Sequence, residues 1–361
     1  MSETVIASVD EITAAWLTHV LRTRGYLLRG EVASVHQAKQ FTTFTSTIVH
    51  IEVCYTDDAE LPASSRLLMK MTHPDLSPES TRETVKREIA FYRAILANNA
   101  YDLPVPRCYD VAFSPELGKF HLLLDDLSQT HHIPHEWPVP PPVSQCQLVI
   151  DSLAKLHARW WGITGFGEDI LPPWQGDERD SEYIRGAEKR LADFADYMGD
   201  NLTAQRLHYY EYALAKMPAL FARRYRGSKN LTLVHGDTHL WNYMYPRDSQ
   251  RDQVLMIDWQ SAYVALAASD LAYMITVHWY PERRARLEQP LLRRYYEQLI
   301  AHGVANYSWD DFWYDYRLEF IGLIFNAVWQ WSVDLPAYIW WNHFERNVMA
   351  FEDLHCMELL Q

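Results

Sequence analysis

The stretch Val234-His235-Gly236-Asp237-Thr238-His239-Leu240-Trp241-Asn242 sets a carboxylate and a carboxamide five positions apart, and the apolar run Val254-Leu255-Met256-Ile257 then delivers a second carboxylate, Asp258. This is the donor set of a metal–nucleotide site. One carboxylate, Asp237, orients and deprotonates a hydroxyl, while the Asn242 amide oxygen and Asp258 hold Mg2+ against the phosphates of ATP. Both metal donors are oxygens, as that hard ion prefers. A different chemistry is open to the same stretch, because His235, Asp237 and His239 with Asp258 could hold transition metals and make a metal-dependent hydrolase. That alternative gives Asn242 nothing to do.

The spacing His-x-Asp-x-x-x-x-Asn from His235 to Asn242 is also that of the protein-kinase catalytic loop, with Asp258 in the place of the metal-binding aspartate. On these residues the chain resembles the aminoglycoside phosphotransferase/choline kinase family, and within it the ecdysteroid-kinase-like small-molecule phosphotransferases. The resemblance implies an α+β, protein-kinase-like bilobal fold, with a small N-lobe of about five antiparallel strands plus helices and a larger, mostly helical C-lobe carrying the catalytic-loop hairpin. It also implies ATP and Mg2+ as cofactors and a hydroxylated small molecule as acceptor: an aminoglycoside, choline-like amine, macrolide, sugar or steroid alcohol. Only eleven residues separate Asp258 from Asp270-Leu271-Ala272, which reads as a helix start with Asp as its cap. No room is left for the long segment on which protein kinases dock peptides, which favours a small acceptor.

The elements that must position these groups can be read in order. Ser8 and Glu11 form a capping-box pattern ahead of the apolar stripe Ile12, Trp16, Val20 and Leu21, and Gly25 stops that helix. Strands are expected over roughly Glu31–Ala38, Thr47–Tyr55 and Arg66–Met71. Between the first two lies Lys39–Ser46, where a kinase places its phosphate-covering hairpin. This turn has no glycine, so the hydroxyls of Thr42, Thr43, Thr45 and Ser46, with backbone N–H groups, would have to cover the phosphates; the alternative is an ordinary polar hairpin. Lys70 sits among apolar residues on the third strand. Alone it would read as a strand-edge charge snorkelling to water. Glu88, however, falls on the apolar stripe Val85, Ile89, Tyr92, Ile95 of the helix from Pro78 to about Asn98, and a carboxylate facing a core needs a partner. The resemblance supplies the roles, with Lys70 reaching the ATP phosphates and Glu88 holding it.

Two further strands, Val105–Phe113 and Lys119–Leu124, complete the first lobe, expected over residues 1–127. It ends at Leu124-Asp125-Asp126-Leu127, which resembles the family's hinge, so Asp125 and Leu127 are placed at the adenine edge on resemblance alone. Ile133–Pro142 is proline-rich and irregular; His131, His132 and His135 near it read as polar loop residues without a metal-ligand pattern. The second lobe, residues 128–361, opens on a capping box at Ser144 and Gln147 and a helix running to Trp160-Trp161. Helices from about Trp174 to Arg224 carry acidic residues (Asp177, Glu178, Asp180, Glu182, Asp193, Asp196), read mainly as a solvated face. Aromatics crowd the C-terminal helices from Trp309 to Phe344; that spacing is chiefly a core pattern, with a few rings lining an acceptor pocket. His235 is expected to position the loop backbone rather than to move protons, and the glycine-free turn also motivates a catalytically weak nucleotide-binding scaffold, against which the full set of catalytic residues argues.

Composition limits the partners. With 361 residues, 48% of them hydrophobic, the chain can bury a substantial core. A formal net charge of -14 disfavours nucleic acid and anionic membranes. The four cysteines are scattered, which suggests neither a disulfide framework nor a zinc site and fits a reducing compartment. No apolar run approaches the roughly 20 residues that span a bilayer, and residues 1–9 lack a signal pattern, so a cytoplasmic protein is expected.

Overall fold

The computed structural model describes residues 4–43, 45–60, 63–98, 100, 102–134, 139–166, 169–172, 178–248 and 253–361. In chain order the elements are α1 (Ala14–Thr23), β1 (Val32–Thr42), β2 (Ser46–Tyr55), β3 (Arg66–Thr72), α2 (Pro78–Ala97), β4 (Cys108–Ser114), β5 (Lys119–Asp125), β6 (His131–His132), α3 (Val143–Arg159), α4 (Glu178–Met198), α5 (Ala204–Tyr225), β7 (Leu231–Val234), β8 (Tyr243–Pro246), β9 (Leu255–Met256), β10 (Tyr263–Leu266), α6 (Ala268–Ala272), α7 (Pro281–Ala301), α8 (Trp309–Leu323), α9 (Asn326–Ser332) and α10 (Ala337–Asp353). They divide into two units: residues 1–133 with 244–261, and residues 134–243 with 262–361.

The first unit is built on an antiparallel five-stranded sheet in the order β1-β2-β3-β5-β4. β2 alternates as a half-buried strand should, with Val49, Ile51 and Val53 turned into a core that also takes Leu17 and Leu21 of α1 and Leu67 and Met69 of β3. The first helix starts later than the sequence pattern suggests. Ser8 and Glu11 do bond each other, and Glu11 accepts the Ala7 N–H, but they close only a 3-10 turn over Val9–Glu11; the α-helix begins after Thr13, whose hydroxyl accepts from the Trp16 N–H. The capping hydroxyl lies five residues further on because Ile12 is drawn into the core first.

α2 has the stronger start signal, with Ser77 capping the Ser80 N–H and Pro78 in the first turn. Its buried face carries Val85, Glu88, Ile89, Tyr92 and Ile95. At the turn joining β4 to β5, Gly118 has φ +58°, and a Cβ there would come within 2.3 Å of the Pro78 Cα, so only glycine lets the turn close against the start of α2. The segment that ends in Asp258 belongs to this unit: the Met256 N–H donates to the Pro104 carbonyl, and the Trp259 indole stacks on Phe91 of α2 at 3.7 Å between ring centroids and 9° between planes. His131, taken from the sequence as a loop histidine, is buried in the short β6, with Nε2 3.0 Å from the Gln253 carbonyl oxygen. His135 lies outside the described residues.

The second unit is mainly helical, with one two-stranded antiparallel ladder of β7 and β10. α3 starts at Val143 without a side-chain cap; Pro142, at φ -55°, already holds the helical φ, so the Ser144 and Gln147 pattern is not used. Asp193 pairs on the surface with Lys189 and Asp196 is exposed, a solvated face as expected, while Asp177 lies outside the described residues. No helix among the described residues is long and apolar enough to cross a membrane. All four cysteines are free thiols.

Phe91→Ala removes the surface on which Trp259 rests, and both rings are fully buried. We expect a loss of about 3–5 kcal/mol in urea unfolding followed by tryptophan fluorescence, the usual cost of emptying a buried aromatic site.

Candidate active site

Lys70 and Glu88 meet as one buried pair. The Lys70 Nζ lies 2.9 and 2.8 Å from the two Glu88 carboxylate oxygens and 3.1 Å from Asp258 Oδ1. Burial alone would lower the ammonium's pKa, but the two carboxylates outweigh it and push it well above the ordinary lysine value. The cation is therefore permanent and held in place. For Glu88 the balance goes the other way: desolvation raises its pKa above the ordinary value, while Lys70 and a hydrogen bond from the Trp259 backbone draw it back only in part. Breaking such a buried pair by removing one partner typically costs about 3–5 kcal/mol.

Asp258 adopts φ +68°, a left-handed conformation that aspartate tolerates better than most residues. Its carboxylate is 39% exposed. Gln260, two residues on, donates its side-chain amide both to Asp258 Oδ1 and to Thr45 Oγ1, the latter at 3.1 Å. In the turn between β1 and β2 the Thr43 hydroxyl accepts from the Ser46 N–H at 3.1 Å, and the Thr43 N–H donates to the Ser46 carbonyl at 2.8 Å. Thr42 ends β1, exposed. At the end of β5, Asp125 receives the Tyr109 hydroxyl at 2.6 Å and its N–H is spent on the Arg107 carbonyl. The Leu127 carbonyl accepts from the Thr130 and His131 N–H groups, whereas the Leu127 N–H has no hydrogen bond among the described residues.

In the second unit the loop after β7 is shaped by Asp270. This carboxylate is fully buried and accepts the His235 N–H at 2.8 Å and the Gly236 N–H at 2.9 Å, and His157 Nε2 stands 3.1 Å from it. Asp270 is thus not the helix cap read from the sequence. It lies inside the short α6, where the short helix returns toward β7 and its side chain meets backbone donors of the loop. Gly236 has φ +80°, which turns the chain so that Asp237 follows directly. His235 is sealed inside, its Nδ1 accepting the Asp237 N–H at 3.3 Å, which is the backbone-positioning role expected of it. Asp237 itself is partly open. The Asn242 Nδ2 donates to its Oδ2 at 3.1 Å and to its backbone oxygen at 2.9 Å, and His239 Nε2 lies 3.5 Å from the same Oδ2.

These bonds test the fit of a hard cation. With the Asn242 nitrogen committed to Asp237, the side-chain orientation is fixed and Oδ1 is the end left for a ligand, as an oxygen donor to Mg2+ requires. The hydrolase alternative fares worse: His235 turns its Nδ1 to the backbone, and among the described residues no three His, Cys, Asp or Glu side chains gather as a metal site.

A cavity of about 400 Å3 opens in the second unit beside this loop, lined by Gly236, Asp270, Tyr273, Tyr263, Phe221, Phe325, Trp329 and Glu319 among others. Tyr273 begins a π-helical turn, Tyr273–Val277. Burial, reinforced by the neighbouring Asp237 carboxylate, pushes its phenol well above the ordinary value, so it remains an O–H donor toward Asp237. Of the C-terminal aromatics, Phe325 and Trp329 reach the cavity, while Phe312, Tyr316, Phe320 and Phe344 are core. Glu319 is the unexpected wall residue. Burial, with Asp315 nearby, pushes its carboxyl up to about 8, and the Ser269 and Tyr225 hydroxyls draw it back only in part.

Sequence reasoning assigned no role to Gln260, Tyr273 or Glu319. Gln260 alone had a local signal, being two residues from Asp258. The others are reached only through folding.

A sequence profile of the ecdysteroid kinase-like family matches residues 40–304. Two solved structures are similar in fold: a candidate aminoglycoside phosphotransferase from Ralstonia eutropha (13% identity, 95% of this chain and 97% of that one, TM-score 0.56) and a choline kinase from Cryptosporidium parvum (12% identity, 96% and 97%, TM-score 0.54). The likeness is to the protein-kinase-like α+β arrangement. No curated protein matches the chain.

Glu319 gives a pH-dependent signature. A carboxyl whose folded pKa is raised holds its proton in the native state after the unfolded chain has lost it, so its stabilising contribution is full below about 4.5 and is lost as pH rises through about 8. Glu319→Gln lacks this titration. Its melting temperature relative to the unsubstituted chain should rise steadily between roughly pH 5 and pH 9, read by thermal melts across that range.

Proposed function

The chain belongs to the ecdysteroid kinase-like family, and from that membership we propose that it transfers the γ-phosphate of ATP to a hydroxyl of a small molecule in a Mg2+-dependent reaction. The observation that carries this reading is Asp237: a carboxylate whose Oδ2 is held by Asn242, beside a cavity of about 400 Å3, within the range that admits small ligands.

Each residue then has a task. Lys70, fixed by Glu88, binds ATP phosphate oxygens, and the turn carrying Thr42, Thr43, Thr45 and Ser46 covers them. The Leu127 N–H would take the adenine edge, whereas the Asp125 N–H is already spent on the Arg107 carbonyl. Asn242 and Asp258 would hold Mg2+, which supplies neutralisation of the phosphate charge. Asp237 accepts the hydrogen bond of the acceptor hydroxyl and takes its proton late in a loose transfer. The Tyr273 O–H steadies that carboxylate, and His235 fixes the backbone from which it projects. The cavity's aromatic walls favour an acceptor with an apolar body, and Glu319 offers it a hydrogen-bonding contact.

A coupled ADP-release assay against a panel of hydroxylated metabolites and antibiotics tests the reading. With an acceptor in hand, Asp237→Asn should lower kcat by roughly 10²–10⁴-fold, the usual worth of a positioned base, while ATP affinity changes by less than about tenfold. Near-normal transfer by that variant would displace Asp237 from the centre of the reaction.

Metal dependence is checked separately by calorimetry. ATP should bind much more tightly with Mg2+ than with EDTA, and Asp258→Asn should erase most of that difference, because a neutral amide is a poorer ligand for a hard cation. Equal binding in EDTA would remove the metal from the proposal.

A further inference from the structure

The turn between β1 and β2 has no glycine, yet it closes tightly through side chains. The Thr43 hydroxyl caps the N–H of Ser46 at 3.1 Å and lies 3.4 Å from that of Thr45. This is the local hydroxyl-to-backbone turn that serine and threonine make. A second tie comes from far along the chain: Gln260 donates to Thr45 Oγ1 at 3.1 Å across 215 positions of sequence. The same amide nitrogen donates to Asp258 Oδ1. A carboxylate offers only acceptors, so the NH2 end of Gln260 must face Asp258, and its two hydrogens can serve Asp258 and Thr45 together. The backbone beneath Gln260 is itself anchored, since its neighbour Trp259 is stacked on Phe91. Asp258 Oδ1 also receives Lys70.

We propose that Gln260 is a positioning residue for the nucleotide: its amide struts the glycine-free turn against Asp258, so that the covering turn, Asp258 and Lys70 are held as one connected unit before ATP arrives. This rests on the phosphotransfer reading. Glycines let a backbone approach phosphate by freedom of conformation; here a threonine-rich turn is shaped by hydroxyl bonds, local ones at Thr43 and a distant one from Gln260 to Thr45. The strut acts through Thr45 and not on the reacting atoms. Its loss therefore falls on nucleotide binding, and for one neutral hydrogen bond that is about 2- to 10-fold.

The experiment compares the full-length chain with Thr45→Val, Thr45→Ser, Gln260→Leu and the Thr45→Val/Gln260→Leu double variant. Mg2+-ATP affinity is measured by calorimetry, and hydrogen–deuterium exchange of residues 40–48 is followed without nucleotide. We expect Thr45→Val and Gln260→Leu each to weaken Mg2+-ATP about 2- to 10-fold and to speed exchange of the turn, with the double variant no worse than the worse single. Thr45→Ser, which keeps the hydroxyl, should restore affinity and protection. Additive losses overturn the strut. So does a Thr45→Val variant that binds ATP weakly while its nucleotide-free exchange is unchanged, because that is the mark of a direct phosphate contact. Unsubstituted affinity and exchange in Thr45→Val overturn it as well. An unsubstituted chain that binds no Mg2+-ATP overturns the phosphotransfer reading and the strut's role with it.

Discussion

The Asp270 carboxylate is fully buried, and a charge in that position costs on the order of several kcal/mol unless donors surround it. Here the donors are the backbone of His235 and Gly236 and the imidazole of His157. The constraint runs both ways. Asp270 needs the loop to satisfy it, and the loop needs Asp270 because the pairing of β7 with β10 ends at Val234 and the His235 and Gly236 N–H groups go to this carboxylate instead. His157 Nε2–H faces the carboxylate, and its Nδ1 lies 2.7 Å from the hydroxyl of Tyr295, a phenol that burial keeps protonated. The Thr232 hydroxyl donates to the His157 carbonyl and that of Thr238 to the Asp270 carbonyl, at 2.8 and 2.6 Å, which closes the ring of bonds. Asp237 projects from a backbone that has little freedom to move.

The first unit solves a similar problem with the signs reversed. There the buried charge is a cation, Lys70, and its partners are side chains on a helix and on a turn. An ammonium balanced by two carboxylates keeps one more negative charge than it needs, which a bound cation or donor offsets. Glu88 is the deeply buried partner and Asp258 the open one, so the structural and the ligand-facing roles are divided between two carboxylates by exposure alone.

Lys70 with Glu88 was legible in the sequence because a glutamate on the apolar face of a helix demands a partner, and the lysine among apolar residues of the preceding strand, unremarkable alone, is the cation that can supply it. Five strands were placed along the sequence, and their joining in one antiparallel sheet was what the resemblance implied. Two cap assignments failed where the pattern had competitors. Ser8 and Glu11 satisfy each other in a 3-10 turn, and a proline took over the start of α3. Asp270 misled for a deeper reason. An aspartate ahead of an apolar run has the same local appearance whether it caps its own helix or binds a loop 35 residues upstream. Tyr273 and Glu319 carry no pattern at all, since a wall residue is defined by the helices opposite it.

Asp258 at φ +68° has a consequence for how the site is dissected and how it can diverge. A left-handed position admits glycine freely and asparagine or aspartate at modest cost, and charges most other side chains roughly 1–2 kcal/mol. Alanine there changes two things together, deleting the carboxylate and straining the chain, so a dead alanine variant says little about which loss was responsible. Asparagine keeps the backbone and the shape. The same restriction narrows the substitutions that drift can sample: a lineage that abandons the chemistry at this position can slide to asparagine or glycine without unfolding, and those two residues are the expected mark of a relative that has kept the fold and lost the reaction.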